Sequence, residues 1–325
     1  MTMTFHKEHL LDRAAMLAMR AMIALQPKIE FRPDARPGFD ALMEKTPAAV
    51  GVTYEAATVG GIAGWWCRPA DPFSGAAILY LHGGAFVVGS ASAYRHFAGQ
   101  LATRARAATF VADYGLAPER QFPTAYNDAQ AAYRGLIASG LTRIALAGDS
   151  AGAGLALALV GAQSSKESPD KLRAPSAVAV MSPWIDLALA GDSMKSKASS
   201  DPLLGFEALS AAVRLYLAGK EPRDPRASAL YGDLEGLPPV FLHVGEDEVL
   251  LDDARRYATK LEESGGTAEL HVWQGMIHVF PANLALLRAA KEALERIGGF
   301  LRAHLVEELP SRRSAQGISR NSAEL

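Results

Sequence analysis

Short apolar runs alternate with helix-like segments along most of this chain, and the alternation limits what it can fold into. Strands that are buried on both faces are continuously apolar, and parallel neighbours need a long crossover between them. The pattern therefore predicts an α/β protein with a mostly parallel central sheet covered by helices on both faces. The predicted strands are residues 76–81, 109–112, 144–147, 177–181, 240–244 and 270–273, and the predicted helices are about 93–106, 124–139, 151–163, 206–218, 252–264 and 283–305.

The two ends of the chain depart from this alternation. Residues from about 5 to 26 have apolar side chains at helical spacing, which predicts an amphipathic helix. Residues 52–69 alternate around two glycines and predict a hairpin, and residues 306–325 are polar and predict a loose tail. The apolar side chains of the N-terminal helix are Leu10, Leu11, Ala14, Leu17, Ala18, Met22 and Leu25.

Composition and charge exclude several classes of protein. A formal net charge of -2 over 325 residues gives no global basic field for nucleic acid or an acidic membrane. A single cysteine, Cys67, allows no internal disulfide and suits a reducing compartment. The N-terminal stretch does not resemble a secretory signal, and no segment approaches the roughly 20 apolar residues that span a bilayer. We therefore expect a cytoplasmic protein without stable membrane insertion.

Residue types that can take part in catalysis follow four of the predicted strands. His82, Ser150, Asp247 and His278 each come shortly after an apolar run. The carboxyl ends of parallel strands meet at one edge of a sheet, where ligands bind in such folds. The sequence therefore predicts an active site at this edge.

Ser150 lies in a G-x-S-x-G pattern, from Gly148 to Gly152, between a predicted strand and a predicted helix. Small residues on either side allow a tight strand-to-helix turn that exposes the serine hydroxyl, and the helix N-terminus favours a developing anion. The alternative is an ordinary N-cap serine in a glycine-rich turn.

A serine nucleophile needs a histidine base, and on this scaffold the base comes last in the chain. His243 and His271 lie inside predicted strands and His304 lies in the last helix, so we expect them to pack or be solvated. Only His278 follows a strand at the correct edge, and it is the predicted base.

A carboxylate must orient that histidine. Asp247 stands at the turn after the preceding strand and is the preferred candidate, while Glu246 and Glu248 stay open because spacing does not separate them. Asp252 and Asp253 suit the start of the next helix instead.

The oxyanion of an acyl-transfer intermediate needs N–H donors. Ala151, which follows the nucleophile, supplies one donor, and Gly83 and Gly84 allow close approach of the backbone to a substrate. His82 is expected to hold that loop in a structural role.

These motifs resemble those of the bacterial hormone-sensitive-lipase-like carboxylesterases, a family with the α/β-hydrolase fold. HGGAF at 82–86 is similar to that family's H-G-G-G-F/W loop, with Ala85 in place of the third glycine. The elbow GDSAGA ends in Ala153 where the family usually has glycine. Further similar stretches are DYGLAPERQFPTAYND (113–128), with Gly115 where arginine is common, SPWIDL (182–187) and GEDEVLLDD (245–253). The last of these, with VWQGMIHVF (272–280), is most similar to the branch of monoterpene ε-lactone hydrolases and short-chain alkyl esterases.

The resemblance implies a domain plan and a set of neighbours for the site. Residues 1–50 and an insert at about 187–217 would form a helical cap over a catalytic domain at 51–305. Members often form homodimers through an edge strand, which here would be the strand ending at Trp273. The candidate substrate-binding residues are Met22, Phe86, Asp149, Trp184, Val279 and Phe280.

We therefore predict a serine carboxylic-ester hydrolase that acts on small-molecule, short-chain acyl esters through an acyl-enzyme, with no metal or organic cofactor. The alternatives are a lactone hydrolase or carbohydrate acetylesterase of the same chemistry, a peptidase or amidase of the same fold, and a non-catalytic small-molecule receptor.

Overall fold

The structure is a computed structural model that describes residues 2–26, 29–164 and 172–306. In these ranges nine strands form one sheet in the order β1-β9-β8-β7-β6-β4-β5-β3-β2. In this order every neighbouring pair from β1 through β5 is parallel. The last two pairs, β5 with β3 and β3 with β2, are antiparallel. The strands are β1 (Thr2–His6), β2 (Val52–Val59), β3 (Ile62–Pro69), β4 (Ala76–Leu81), β5 (Ala108–Ala112), β6 (Arg143–Asp149), β7 (Val178–Met181), β8 (Val240–Gly245) and β9 (Ala268–Trp273).

Helices cover both faces of this sheet, as the apolar runs predicted. Side chains of α4, α5 and α8 contribute to one hydrophobic core, and those of α3 and α9 contribute to the other. None of the helices in the described ranges has the length and apolar character needed to cross a membrane. The helices are α1 (Leu10–Ala24), α2 (Arg36–Met43), α3 (Ala91–Ala105), α4 (Thr124–Ala138), α5 (Ser150–Ser164), α6 (Ser193–Ser196), α7 (Phe206–Leu217), α8 (Leu251–Glu263) and α9 (Arg288–Leu305).

The predicted hairpin at 52–69 is confirmed as β2 and β3. The predicted loose tail is not described beyond Val306, because residues 307–325 lie outside the described ranges.

The N-terminal residues form a strand that the sequence analysis missed. β1 pairs in parallel with β9, and β8 pairs with the other side of β9. The predicted homodimer required β9 to be a free edge strand. His6 stacks on Trp273 with ring centroids 3.8 Å apart, and its Nε2 lies 2.8 Å from Nδ1 of His271. The expectation of a dimer through β9 is therefore wrong, because both sides of β9 are already hydrogen-bonded. Residues 2–6 likewise belong to the sheet rather than to a helical cap.

Helix α1 is oriented opposite to the prediction. Its apolar stripe faces outward, with Leu10, Leu17 and Leu25 79%, 63% and 85% exposed. Asp12, Met16 and Met19 are buried instead. The Asp12 carboxylate accepts hydrogen bonds from the N–H groups of Arg288 and Ala289 at 2.9 and 2.8 Å. A carboxylate at a helix N-terminus satisfies free N–H groups and complements the helix dipole. This cap on α9 helps to determine which face of α1 is buried.

The substitution Asp12→Ala should lower the free energy of unfolding by about 1–2 kcal/mol, because α9 loses its cap. Thermal unfolding of Asp12→Ala, beside the exposed control Arg13→Ala, measures the effect. Equal melting temperatures for the two variants would contradict this role of Asp12.

Candidate active site

Three side chains from the carboxyl ends of three parallel strands form a continuous hydrogen-bond chain. Nε2 of His278 lies 2.9 Å from Oγ of Ser150, and Nδ1 of His278 lies 2.9 Å from Oε2 of Glu248. Ser150 follows β6, Glu248 follows β8 and His278 follows β9. The parallel sheet thus brings together a nucleophile, a base and a carboxylate that are far apart in the sequence.

The turn at Ser150 has the geometry that the glycine pattern predicted. Ser150 has φ +51°, a left-handed conformation that non-glycine residues rarely adopt. A Cβ at Gly148 would lie 2.6 Å from the carbonyl oxygen of Leu81, and one at Gly152 would overlap the carbonyl oxygens of Leu81 and His82. The glycines therefore let the elbow approach the neighbouring strand β4.

The predicted carboxylate, Asp247, is not in this chain. Its Oδ2 accepts a hydrogen bond of 2.6 Å from Arg20 of α1, whose guanidinium also donates to the carbonyl oxygens of Ser200 and Gly275. Successive side chains of the turn point to different sides, so Asp247 faces α1 while Glu248 faces the histidine. The prediction of Asp247 is wrong, and Glu248, which the spacing left open, occupies that position.

The Glu248 carboxylate is fully buried and held by three donors. Its Oε1 accepts hydrogen bonds from Gly245 N–H at 2.6 Å and from the Ser182 hydroxyl at 2.7 Å, while Oε2 faces His278. Buried charges need such partners to offset their lost hydration. Ser182 was not singled out by the sequence analysis, although it begins the SPWIDL stretch.

The environment of His278 favours its protonated form. Burial lowers the pKa of this histidine, but the hydrogen bond and the negative charge of Glu248 outweigh burial and hold the pKa above its ordinary value. The charges of Asp201 and Asp149 act in the same direction. An imidazole stabilised as a cation suits a base that takes a proton from a serine.

One of the three predicted oxyanion donors is already occupied. Gly83 N–H donates to Oδ1 of Asp149 at 3.0 Å, so the prediction that it binds an oxyanion is wrong. The hydrogen bonds of the described residues include none donated by the N–H groups of Gly84 and Ala151. Gly84 has φ +117°, and a Cβ there would overlap the carbonyl oxygen of Val88. Gly84 and Ala151 stay the predicted donors.

Asp149 was predicted to bind substrate, but its carboxylate is turned into the protein interior. It is 1% exposed, and its carboxylate accepts hydrogen bonds from the hydroxyls of Tyr80 at 2.7 Å and Tyr94 at 3.1 Å besides Gly83. Burial raises the pKa of this carboxyl, although both tyrosine hydrogen bonds act to lower it. Asp149 therefore anchors the glycine loop beside the nucleophile. A Cβ at Gly83 would overlap the Asp149 carboxylate, which explains the glycine.

The aromatic candidates are buried in the cores. Phe86 stacks on Tyr216 at 3.9 Å between ring centroids and lies 6.0 Å from the ring of Trp184. Phe280 packs against Trp273 in the core on the opposite face of the sheet. The sequence could not distinguish an aromatic core residue from one that lines a substrate pocket. All three candidates are at most 1% exposed, and their contact with a substrate stays a prediction.

The remaining predicted residues are at the surface or beside the base. Met22 is 62% exposed on the outer side of α1. Val279 follows the base, is half-buried and donates its N–H to the Ser182 hydroxyl at 3.0 Å. His82 is buried, stacks on Tyr114 and has Nδ1 2.8 Å from the Gly83 carbonyl oxygen, which fits the structural role predicted for it.

Comparison with known proteins places this geometry in a family. The sequence model of the α/β-hydrolase fold matches residues 78–282. An acetyl-hydrolase from Streptomyces hygroscopicus is 41% identical over 254 residues, 78% of this chain and 83% of that protein. An esterase from Acinetobacter venetianus is 35% identical over 286 residues, 87% of this chain and 93% of that protein.

Solved structures agree with the sequence comparison. The crystal structure of an esterase from the bacterial hormone-sensitive lipase family superposes with a TM-score of 0.83 at 38% identity, covering 91% of this chain and 98% of that one. The chain belongs to the α/β-hydrolase family, among its bacterial hormone-sensitive-lipase-like carboxylesterases, and is a serine ester hydrolase.

The substitutions Glu248→Gln and Asp247→Asn separate the two acidic neighbours. Glu248→Gln should reduce kcat by about 10²–10⁴-fold, because the amide cannot stabilise the imidazolium. Asp247→Asn should keep kcat within about tenfold, since it removes a contact to α1 and no member of the hydrogen-bond chain. Steady-state hydrolysis of p-nitrophenyl acetate measures both, and the reverse ranking would restore Asp247 as the carboxylate.

The pH dependence of kcat/KM follows from the pKa of His278. The base acts in its neutral form, so activity is lost as pH falls through a pKa that lies above the ordinary value of 6.5. We expect half-maximal kcat/KM on the acidic side above pH 6.5. An acidic limb centred clearly below pH 6.5 would contradict the influence assigned to Glu248.

Proposed function

We propose that this protein hydrolyses short-chain acyl esters of small alcohols through an acyl-enzyme formed on Ser150. The observation that carries the proposal is the continuous hydrogen-bond chain from Ser150 through His278 to the buried Glu248. The chain has the arrangement in which a histidine base activates a serine and a carboxylate orients the histidine.

In the first half-reaction His278 takes the Ser150 proton while Oγ bonds to the ester carbonyl carbon. Glu248 accepts the Nδ1–H of His278 and stabilises the imidazolium that results. Collapse of the tetrahedral intermediate breaks the ester C–O bond, and His278 gives its proton to the departing alkoxide. In the second half-reaction water replaces the alcohol, and the same steps release the acid and regenerate Ser150.

The N–H groups of Gly84 and Ala151 are the proposed donors to the oxyanion. Removing one such donor in a comparable enzyme costs about 3 kcal/mol of transition-state stabilisation. Asp149 supports this arrangement indirectly, because its hydrogen bond to Gly83 N–H fixes the start of the loop.

Two observations favour a small acyl group. The relative from Streptomyces hygroscopicus is an acetyl-hydrolase, and acetyl is the smallest common acyl group. Phe86, two residues after Gly84, stacks on Tyr216 with ring centroids 3.9 Å apart, and large rings next in sequence to the glycine loop leave less room for a long acyl chain. A lactone or an acetylated sugar would use the same chemistry.

We further propose that α1 and the segment 187–217 form a cap over the site. In support, Arg20 of α1 donates to the Ser200 carbonyl oxygen at 2.5 Å and to Asp247, the neighbour of Glu248. Asp253 of α8 accepts the N–H groups of Ile185 and Asp186 at the base of this segment.

A cytoplasmic location is part of the proposal. It is supported by Cys67, the single cysteine of the sequence, which is buried and unpaired. Burial raises the pKa of its thiol to about 12. β9 is not available to a homodimer, because both of its sides are hydrogen-bonded within the chain.

A p-nitrophenyl ester series from C2 to C16 tests the function. Wild type should prefer C2 to C4, and Ser150→Ala should lose at least about 10³-fold in kcat because no nucleophile is left. Acyl transfer to intact Ser150, detected by mass spectrometry with a slow ester, identifies the intermediate. Undiminished activity of Ser150→Ala, or comparable rates on anilides, would contradict the proposal.

A further inference from the structure

Ser182 occupies the strand end between the nucleophile and the carboxylate. It follows β7, which lies between β6 and β8 in the sheet, and it is fully buried. Its own N–H donates to the His243 carbonyl oxygen at 2.6 Å, which fixes its backbone against β8.

The Ser182 hydroxyl connects two parts of the active site. It donates to Oε1 of Glu248 at 2.7 Å and accepts the N–H of Val279 at 3.0 Å. Val279 directly follows the base His278, so one hydroxyl group contacts the carboxylate and the backbone next to the base. A serine hydroxyl has a single proton to donate, and here that proton goes to Glu248.

We infer that Ser182 is a positioning residue for ester hydrolysis, acting through Glu248 and the segment that carries His278. The inference rests on the proposed function, because it concerns the efficiency of the same hydrogen-bond chain. With Oε1 held by Ser182 and Gly245, the carboxylate plane is fixed and Oε2 stays directed at Nδ1 of the histidine.

The backbone conformation at Ser182 does not favour serine, which indicates that the hydroxyl group is the important feature of this residue. Its φ is +48°, in the left-handed region that glycine adopts at no steric cost. Glycine would therefore suit the backbone better than serine. A serine here keeps the strained conformation and adds only the side chain that holds Glu248 and Val279.

The test compares Ser182→Gly, Ser182→Ala and Ser182→Thr. Removing the hydroxyl should lower kcat by about 10–100-fold with little change in KM, because misplacement of catalytic groups affects the transition state. The acidic limb of kcat/KM should move to lower pH, since a loosened Glu248 supports the imidazolium less well. Ser182→Thr, which restores the hydroxyl in a less favourable backbone, should be more active than Ser182→Gly.

Ser228→Ala is the matched control. Ser228 is also fully buried, and its hydroxyl accepts Leu187 N–H at 2.8 Å and donates to the Pro222 carbonyl oxygen at 2.6 Å. This variant loses the same number of hydrogen bonds and should lower the melting temperature without moving the acidic limb.

The outcomes separate this inference from the proposed function. A folded Ser182→Gly with wild-type kcat and pH profile would overturn the positioning role, while Ser150→Ala and Glu248→Gln would still report on the triad. Undiminished activity in Ser150→Ala and Glu248→Gln would overturn the function itself. If the Ser182 and Ser228 variants lose kcat equally, with no shift of the limb, the role of Ser182 is structural only and the inference fails.

Discussion

The buried carboxylate of Glu248 is the group on which the arrangement of the catalytic edge depends. Transferring an ionised carboxylate from water to a protein interior costs several kcal/mol, which only well-placed hydrogen bonds can offset. Its partners come from the ends of β7, β8 and β9, through Ser182, Gly245 and His278. The need to satisfy one charge thus determines how three neighbouring loops lie relative to each other.

A second buried carboxylate, that of Asp149, holds neighbouring segments together on the other side of the nucleophile. Asp149 joins the elbow to the glycine loop through Gly83, and to the core through Tyr80 and Tyr94. Ser150 therefore stands between two anchored regions, one carrying its base and one carrying its proposed oxyanion donor. Preorganisation of this kind avoids reordering polar groups during the reaction.

The sequence predicted the sheet, the elbow and His278 because each depends on local pattern and chain order. It could not choose between Asp247 and Glu248, since the choice depends on Arg20, more than two hundred residues away in the chain. It also missed that α1 buries Asp12, whose hydrogen-bond partners Arg288 and Ala289 are likewise more than two hundred residues away in the chain. Gly83 failed as a donor because a pattern of glycines identifies a close approach but not which N–H is already bonded.

The pairing of β1 with β9 has a consequence for how the molecule is made. His6 and His271, which are hydrogen-bonded, are separated by 265 positions in the chain. During synthesis residues 2–6 are made long before residues 268–273, so their hydrogen bonds cannot form until the later strand has been made. Such long-range closure is slow relative to local contacts. The parallel edge of the sheet is therefore completed only after β9 has been made, when the strands at the centre of the sheet have already been available to one another.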